Sequence, residues 1–110
     1  MTAFGRLLRR VQGGYMHWCD GCRESHFIAV ETPLANGSQW TFNGSADSPT
    51  FAPSVRIRIP AYVEKGDPDF SNPESVCHYF LRGGTVQFCA DTTHRLAGQT
   101  VALPPWPNAG

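Results

Sequence analysis

The sequence predicts a mostly β fold of the small α+β kind, a compact single domain over residues 1–110 built of antiparallel strands and hairpins with one or two short helices. Three observations carry this expectation. Residues 77–81 and 85–89 alternate in character on either side of Arg82-Gly83-Gly84, and a glycine pair between alternating runs is a hairpin signal. Residues 54–59 alternate as cleanly, with Val55, Ile57 and Ile59 on one face and Ser54, Arg56 and Arg58 on the other. Eleven glycines and nine prolines in 110 residues supply the many turns that a small β-rich chain needs.

The elements follow in chain order. Phe4, Leu7, Leu8 and Val11 fall at helical spacing among Arg6, Arg9 and Arg10, with Gly13-Gly14 beyond as a stop. A short helix and a strand both fit that stretch. Residues 15–18 and 26–30 read as strands about the tight turn Cys19-Asp20-Gly21-Cys22. Residues 31–39 form a polar connector, residues 40–42 a short strand, and Asn43-Gly44 a turn. Residues 49–53 are extended, since a residue before proline avoids the helical region. Residues 60–75, with three prolines, a glycine and several charges, read as a flexible excursion. After the central hairpin, residues 94–103 make a turn and a last strand, and Pro104-Pro105-Trp106-Pro107 trails away.

Nine basic and nine acidic residues balance to zero formal charge, which argues against an electrostatic grip on nucleic acid or on an anionic membrane. The sequence has no apolar run of signal-peptide or membrane-span length. A cytoplasmic location is therefore expected, where the four cysteines stay reduced and serve as metal ligands or in chemistry.

Within the hairpin, the glycine turn sets Leu81 opposite Val86, Tyr79 opposite Phe88 and His78 opposite Cys89. Tyr79, Leu81, Val86 and Phe88 then make a core face, while His78, Phe80, Gln87, Cys89 and Asp91 share the other. An imidazole and a carboxylate on one face are half of a nucleophilic catalytic set. The same residues also suit plainer roles, His78 packing beside Phe80 and Asp91 opening a turn through Thr92-Thr93. Ser54 likewise reads either as a hydroxyl bonded to nearby backbone at the start of a strand or as a nucleophile awaiting a base. Arg56 and Arg58 are solvated or meet a carboxylate of a substrate or partner tail. Cys19 and Cys22 give one edge of a tetrahedral zinc site, with His26 or His17 as a third ligand and the rest to come from Cys77, Cys89 or His94. Reduced packing cysteines and a redox pair are the alternatives.

The pattern W-C-x-G-C-x3-H at residues 18–26, N-G at 43–44 and P-T-F-x-P-S at 49–54 is followed by C-H-x-F, G-x-x-x-F and D-x-x-H-x-L-A-G-x-T-V-x-L-P between 77 and 104. It resembles a family of short phage and prophage proteins, sometimes labelled ammonia monooxygenase, and the BubE-type peptidases encoded beside bacterial ubiquitin-like conjugation genes. The resemblance implies a small serine-type, deubiquitinase-like peptidase in a bacterial host cell that cuts a ubiquitin-like modifier or peptide tail. It further implies Ser54 as nucleophile, His78 as base and Asp91 as orienting acid, with His94 as a substitute base or a support for the oxyanion or loop. Two other readings are a non-enzymatic, zinc-stabilised phage module that binds another protein, and a zinc metallohydrolase using His78, Asp91 and His94. The copper chemistry that the oxygenase label would require has no dense imidazole cluster behind it.

Overall fold

A computed structural model describes residues 1–63 and 71–107. Eleven strands run through it: β1 (Thr2–Phe4), β2 (Leu8–Val11), β3 (Gly14–Cys19), β4 (Glu24–Ala29), β5 (Thr41–Phe42), β6 (Phe51–Ile59), β7 (Tyr62–Val63), β8 (Ser71–Asn72), β9 (Ser75–Arg82), β10 (Thr85–Phe88) and β11 (Thr100–Ala102). They form a four-stranded sheet in the order β1-β2-β3-β4, a five-stranded sheet in the order β11-β10-β9-β6-β5, and the separate pair β7-β8. Every pairing is antiparallel.

The expected short helices are not there: no described residue is helical, and the fold is all-β. The stretch that offered helical spacing is a hairpin instead. Gly5 adopts φ +70° in its turn, and Leu8 pairs with His17 of β3. Leu7 and Leu8 are both buried, so long-range pairing and burial outweigh a local 3.6-residue periodicity that spans only two turns. Of the excursion expected over residues 60–75, β7 and β8 are described, while residues 64–70 lie outside the described residues.

The two larger sheets pack face to face over one core. Leu8, Tyr15 and Ile28 from the first sheet meet Phe51, Val55, Tyr79, Leu81, Val86 and Phe88 from the second. The hairpin has the register its sequence predicts, Thr85 opposite Arg82, Val86 opposite Leu81 and Phe88 opposite Tyr79. Gly83 and Gly84 both have positive φ, +57° and +75°, as a two-residue turn of type I′ requires. β9 lies between β10 and β6, and its side chains alternate between two environments. Cys77, Tyr79 and Leu81 point into the core, whereas His78 and Phe80 point away from it.

Candidate active site and metal centre

On the outer face of the five-stranded sheet, β6 carries Ser54 toward His78 through a bulge. Phe51 pairs with Leu81 and Val55 with Tyr79, so residues 52–54 together oppose Phe80 alone. Extra residues in one strand bend it and re-aim a side chain. Here the result is a distance of 3.3 Å from Ser54 Oγ to His78 Nε2. The Trp40 indole N–H donates to the Ser54 carbonyl at 3.1 Å, tying the bulge to the residue before β5.

The other ring nitrogen, His78 Nδ1, lies 3.0 and 3.2 Å from the two carboxylate oxygens of Asp91. An ionised carboxylate only accepts, so Nδ1 carries the proton and Nε2 presents a lone pair to the Ser54 hydroxyl. Asp91 is half exposed, as is Arg56, whose Nε stands 3.8 Å from Asp91 Oδ2. That ion pair is worth little in stability but leaves a cation at the edge of the site.

Backbone contacts hold His78 in place. The Thr92 hydroxyl accepts from the His78 N–H at 3.0 Å and donates to the His78 carbonyl at 2.9 Å. The Cys89 N–H donates to the same carbonyl at 2.8 Å. Thr92 is buried and extends the β9 ladder past the end of β10. Thr92→Val keeps the shape but removes both side-chain bonds and leaves the His78 N–H without its partner. It is expected to cost about 1–3 kcal/mol of stability and to lower kcat more than it raises KM. Thermal melting and steady-state kinetics check both; an unchanged kcat would show that the clamp is structural only.

On the opposite face of β9, between the sheets, lies a second cluster. Cys19, Cys22, His26 and Cys77 each bring one ligand atom within 4.8 Å of the others. Cys19 Sγ and Cys77 Sγ are 4.0 Å apart, and the Cys22 N–H donates to Cys19 Sγ at 3.4 Å. Hydrogen bonds from Cys22 and Cys77 drive the Cys19 thiol far down, and the same bond to Cys19 pushes Cys22 up to about 12 and Cys77 higher still. Opposed shifts of this kind are expected where several thiols crowd together and share hydrogen bonds. All four cysteines are free.

The histidine partners determine which nitrogen of His26 faces the sulfurs. His17 Nδ1 lies 3.2 Å from the Trp18 carbonyl, which can only accept, and burial pushes the His17 pKa down to about 4, so the ring is neutral with a bare Nε2. The Tyr79 hydroxyl donates to that Nε2 and accepts from His26 Nδ1 at 3.1 Å. This leaves His26 Nε2 deprotonated and, although buried, without a hydrogen-bond partner. A buried orphan lone pair beside three sulfurs fits a metal ion, since ligating histidines bond outward through their second nitrogen. His94 is placed here too. Its Nδ1 accepts from the Leu96 N–H at 3.2 Å, so Nε2 carries the proton and donates to Cys77 Sγ at 3.4 Å. A Cβ on Gly21 would lie 2.2 Å from His94 Cε1, which makes glycine necessary in the cysteine turn.

The family model described as "Bacterial ubiquitination-like system serine protease (BubE)" matches residues 4–89. The chain belongs to the BubE family. It is therefore a serine-type peptidase of a bacterial ubiquitin-like conjugation system. No curated protein and no solved structure matches it. The BubE match spans Ser54, His78 and all four residues of the cysteine cluster, while Asp91 and His94 fall just beyond it. Among the described residues no helix is long and apolar enough to cross a membrane.

Of the residues singled out in the sequence, Ser54, His78 and Asp91 meet in one place and Cys19, Cys22 and His26 in another. His94 makes no hydrogen bond with Ser54 among the described residues. Two further contributors, Tyr79 and Thr92, have no functional signal in the sequence. Alternation gives Tyr79 only a core position for its ring, although a buried phenol needs a polar partner. Thr92 reads only as a turn residue, and nothing local distinguishes it from Thr93.

Proposed function

We propose that this BubE-family peptidase cleaves the tail of a ubiquitin-like modifier, from its precursor or from its targets, through Ser54 as nucleophile, His78 as general base and Asp91 as the orienting acid. The chain of hydrogen bonds from Ser54 Oγ through His78 to Asp91 carries the reading. Its 3.3 Å first link is slightly long, as in many sites without substrate.

In the acylation step Ser54 Oγ attacks the scissile carbonyl while its proton passes to His78 Nε2. Asp91 holds the Nδ1 proton and stabilises the imidazolium. His78 then returns the Nε2 proton to the leaving amine, and the modifier's terminal carbonyl stays on Ser54 as an ester. Water repeats the sequence with His78 again as base. The Ser54 N–H sits where the bulge opens the ladder and is a suitable donor to the oxyanion.

Beside Ser54 lies an open groove of about 310 Å³ whose lining includes Leu34, Gln39, Trp40, Pro53 and Arg56. It suits a narrow extended tail, with Trp40 as an apolar wall and the Arg56 guanidinium near the carboxylate that hydrolysis creates. A phage-type role in a bacterial cytoplasm agrees with this substrate class.

We also assign a structural zinc to Cys19, Cys22, His26 and Cys77. Three thiolates and one imidazole are a common zinc set, and four protein ligands leave no open position for a reacting group. Zinc there ties the β3–β4 turn to β9 and takes no part in the proton transfers.

A fluorophosphonate probe tests the serine assignment without knowledge of the modifier. A single adduct should form and map to Ser54 by peptide mass spectrometry, and His78→Ala should abolish it. An adduct on another serine, or labelling that survives the loss of His78, would refute the assignment.

A further inference from the structure

One nucleophilic side chain at the active site has no part in the chemistry above. Cys89 continues β10 by one residue, opposite His78, and its N–H is bonded to the His78 carbonyl at 2.8 Å. Its half-buried free thiol lies on the same face as the imidazole. One ligand atom from each of His78, Cys89 and Asp91 lies within 4.8 Å of the other two. A thiol, an imidazole and a carboxylate held this close on the hairpin and the turn that follows it are a three-ligand set for a soft divalent cation, with the solvent side left for water.

We propose that His78, Cys89 and Asp91 form a second, inhibitory zinc site, separate from the buried cysteine cluster, in which the ion disables the peptidase by taking its base and its orienting acid. Binding releases the Cys89 thiol proton to solvent and forms bonds to the thiolate, one Asp91 oxygen and one His78 nitrogen. An ion on Nδ1 displaces the hydrogen bond to Asp91 and moves the remaining ring proton to Nε2, where it blocks acceptance from Ser54. An ion on Nε2 occupies the base itself. The consequence for catalysis is the same either way. The partly exposed site, with three protein ligands in place of four, binds more weakly than the buried cluster and so responds to free zinc while the structural metal stays in place.

The inhibitory role rests on the assignment of His78 and Asp91 as catalytic, so its test needs a readout of binding that is independent of activity. Protein carrying one equivalent of zinc in the buried cluster is titrated with Co(II) and followed by its thiolate-to-cobalt absorption. In parallel, zinc is titrated against the rate of fluorophosphonate labelling. A second equivalent of Co(II) with a thiolate band is expected, retained in Ser54→Ala and lost in Cys89→Ser. Cys89→Ser should label at the wild-type rate without zinc. Because losing even an outer-shell partner costs about 10–100-fold in metal affinity, its zinc inhibition should move by at least that factor. A Cys89→Ser variant inhibited at the wild-type zinc concentration, or no second cobalt equivalent, overturns the proposal. Cobalt binding at Cys89 in a protein that labels elsewhere than Ser54 would keep the metal site and remove the serine assignment instead. Normal labelling of Ser54 with no cobalt band would do the reverse.

Discussion

Ser54→Ala is expected to lower kcat for cleavage of the modifier tail by roughly 10⁴- to 10⁶-fold, the loss seen when the nucleophile of a serine triad is removed. Stability should stay within about 0.5 kcal/mol of the parent, as for a substitution outside the core, because Ser54 is only half-buried and, among the described residues, its hydroxyl hydrogen-bonds to His78 alone. Substrate binding should survive, since the groove walls at Trp40 and Pro53 are untouched, so inactive Ser54→Ala should trap the uncut substrate. Asp91→Asn is milder, by about 10²- to 10⁴-fold. The carboxylate is half exposed, and water partly replaces its support for the imidazolium. Steady-state kinetics on the modifier precursor, beside melting curves of both variants, separate chemistry from folding. If Ser54→Ala keeps activity within tenfold of the parent, Ser54 is not the nucleophile, whatever its distance to His78.

Removal of the zinc proposed for the cysteine cluster should have the largest effect on stability. Zinc binding contributes about 10–16 kcal/mol in small structural sites at neutral pH, as much as the whole stability of an ordinary domain, about 5–15 kcal/mol. The cluster also joins the two sheets, with Cys19, Cys22 and His26 contributed by β3, β4 and the turn between them and Cys77 by β9. Without an ion, three crowded thiols and the orphaned Nε2 of His26 remain in the interior. A strong chelator is therefore expected to lower Tm by tens of degrees or to unfold the protein, and Cys77→Ser should express poorly. Peptidase activity should disappear with the fold, because His78 follows Cys77 directly in β9. Metal analysis should give one tightly held zinc per chain. A protein that melts at the same temperature after its metal is shown to be gone would refute the structural assignment.

Much of this molecule was legible in short stretches of chain. The hairpin register, with Tyr79 opposite Phe88 and His78 beside Cys89, follows from a glycine turn and a period of two. Both act between neighbours, and both hold in the structure. The same alternation brought His78 and Asp91 to one face and Ser54 to the polar side of its own strand. Cys19-x2-Cys22-x3-His26 brings three potential metal ligands together because they sit on a single turn and the strand that leaves it.

The rest depended on how the two sheets meet. Residues 4–11 carry a pattern that suits a helix as well as a strand, and the choice lay with β3, which offers a pairing edge and a core for Leu8. The fourth member of the cysteine cluster was open among Cys77, Cys89 and His94. The packing of the core face of β9 against the β3–β4 hairpin brings Cys77, and not Cys89 on the other face, to the cluster, and holds His94 against Cys77. Ser54 reaches His78 only through a bulge in β6, a register shift for which no nearest-neighbour pattern has a signature. Local alternation settles which face a side chain takes, because the backbone geometry of one strand sets it. Which faces meet, and at what register, is settled by burial and hydrogen bonding summed over residues far apart in the chain.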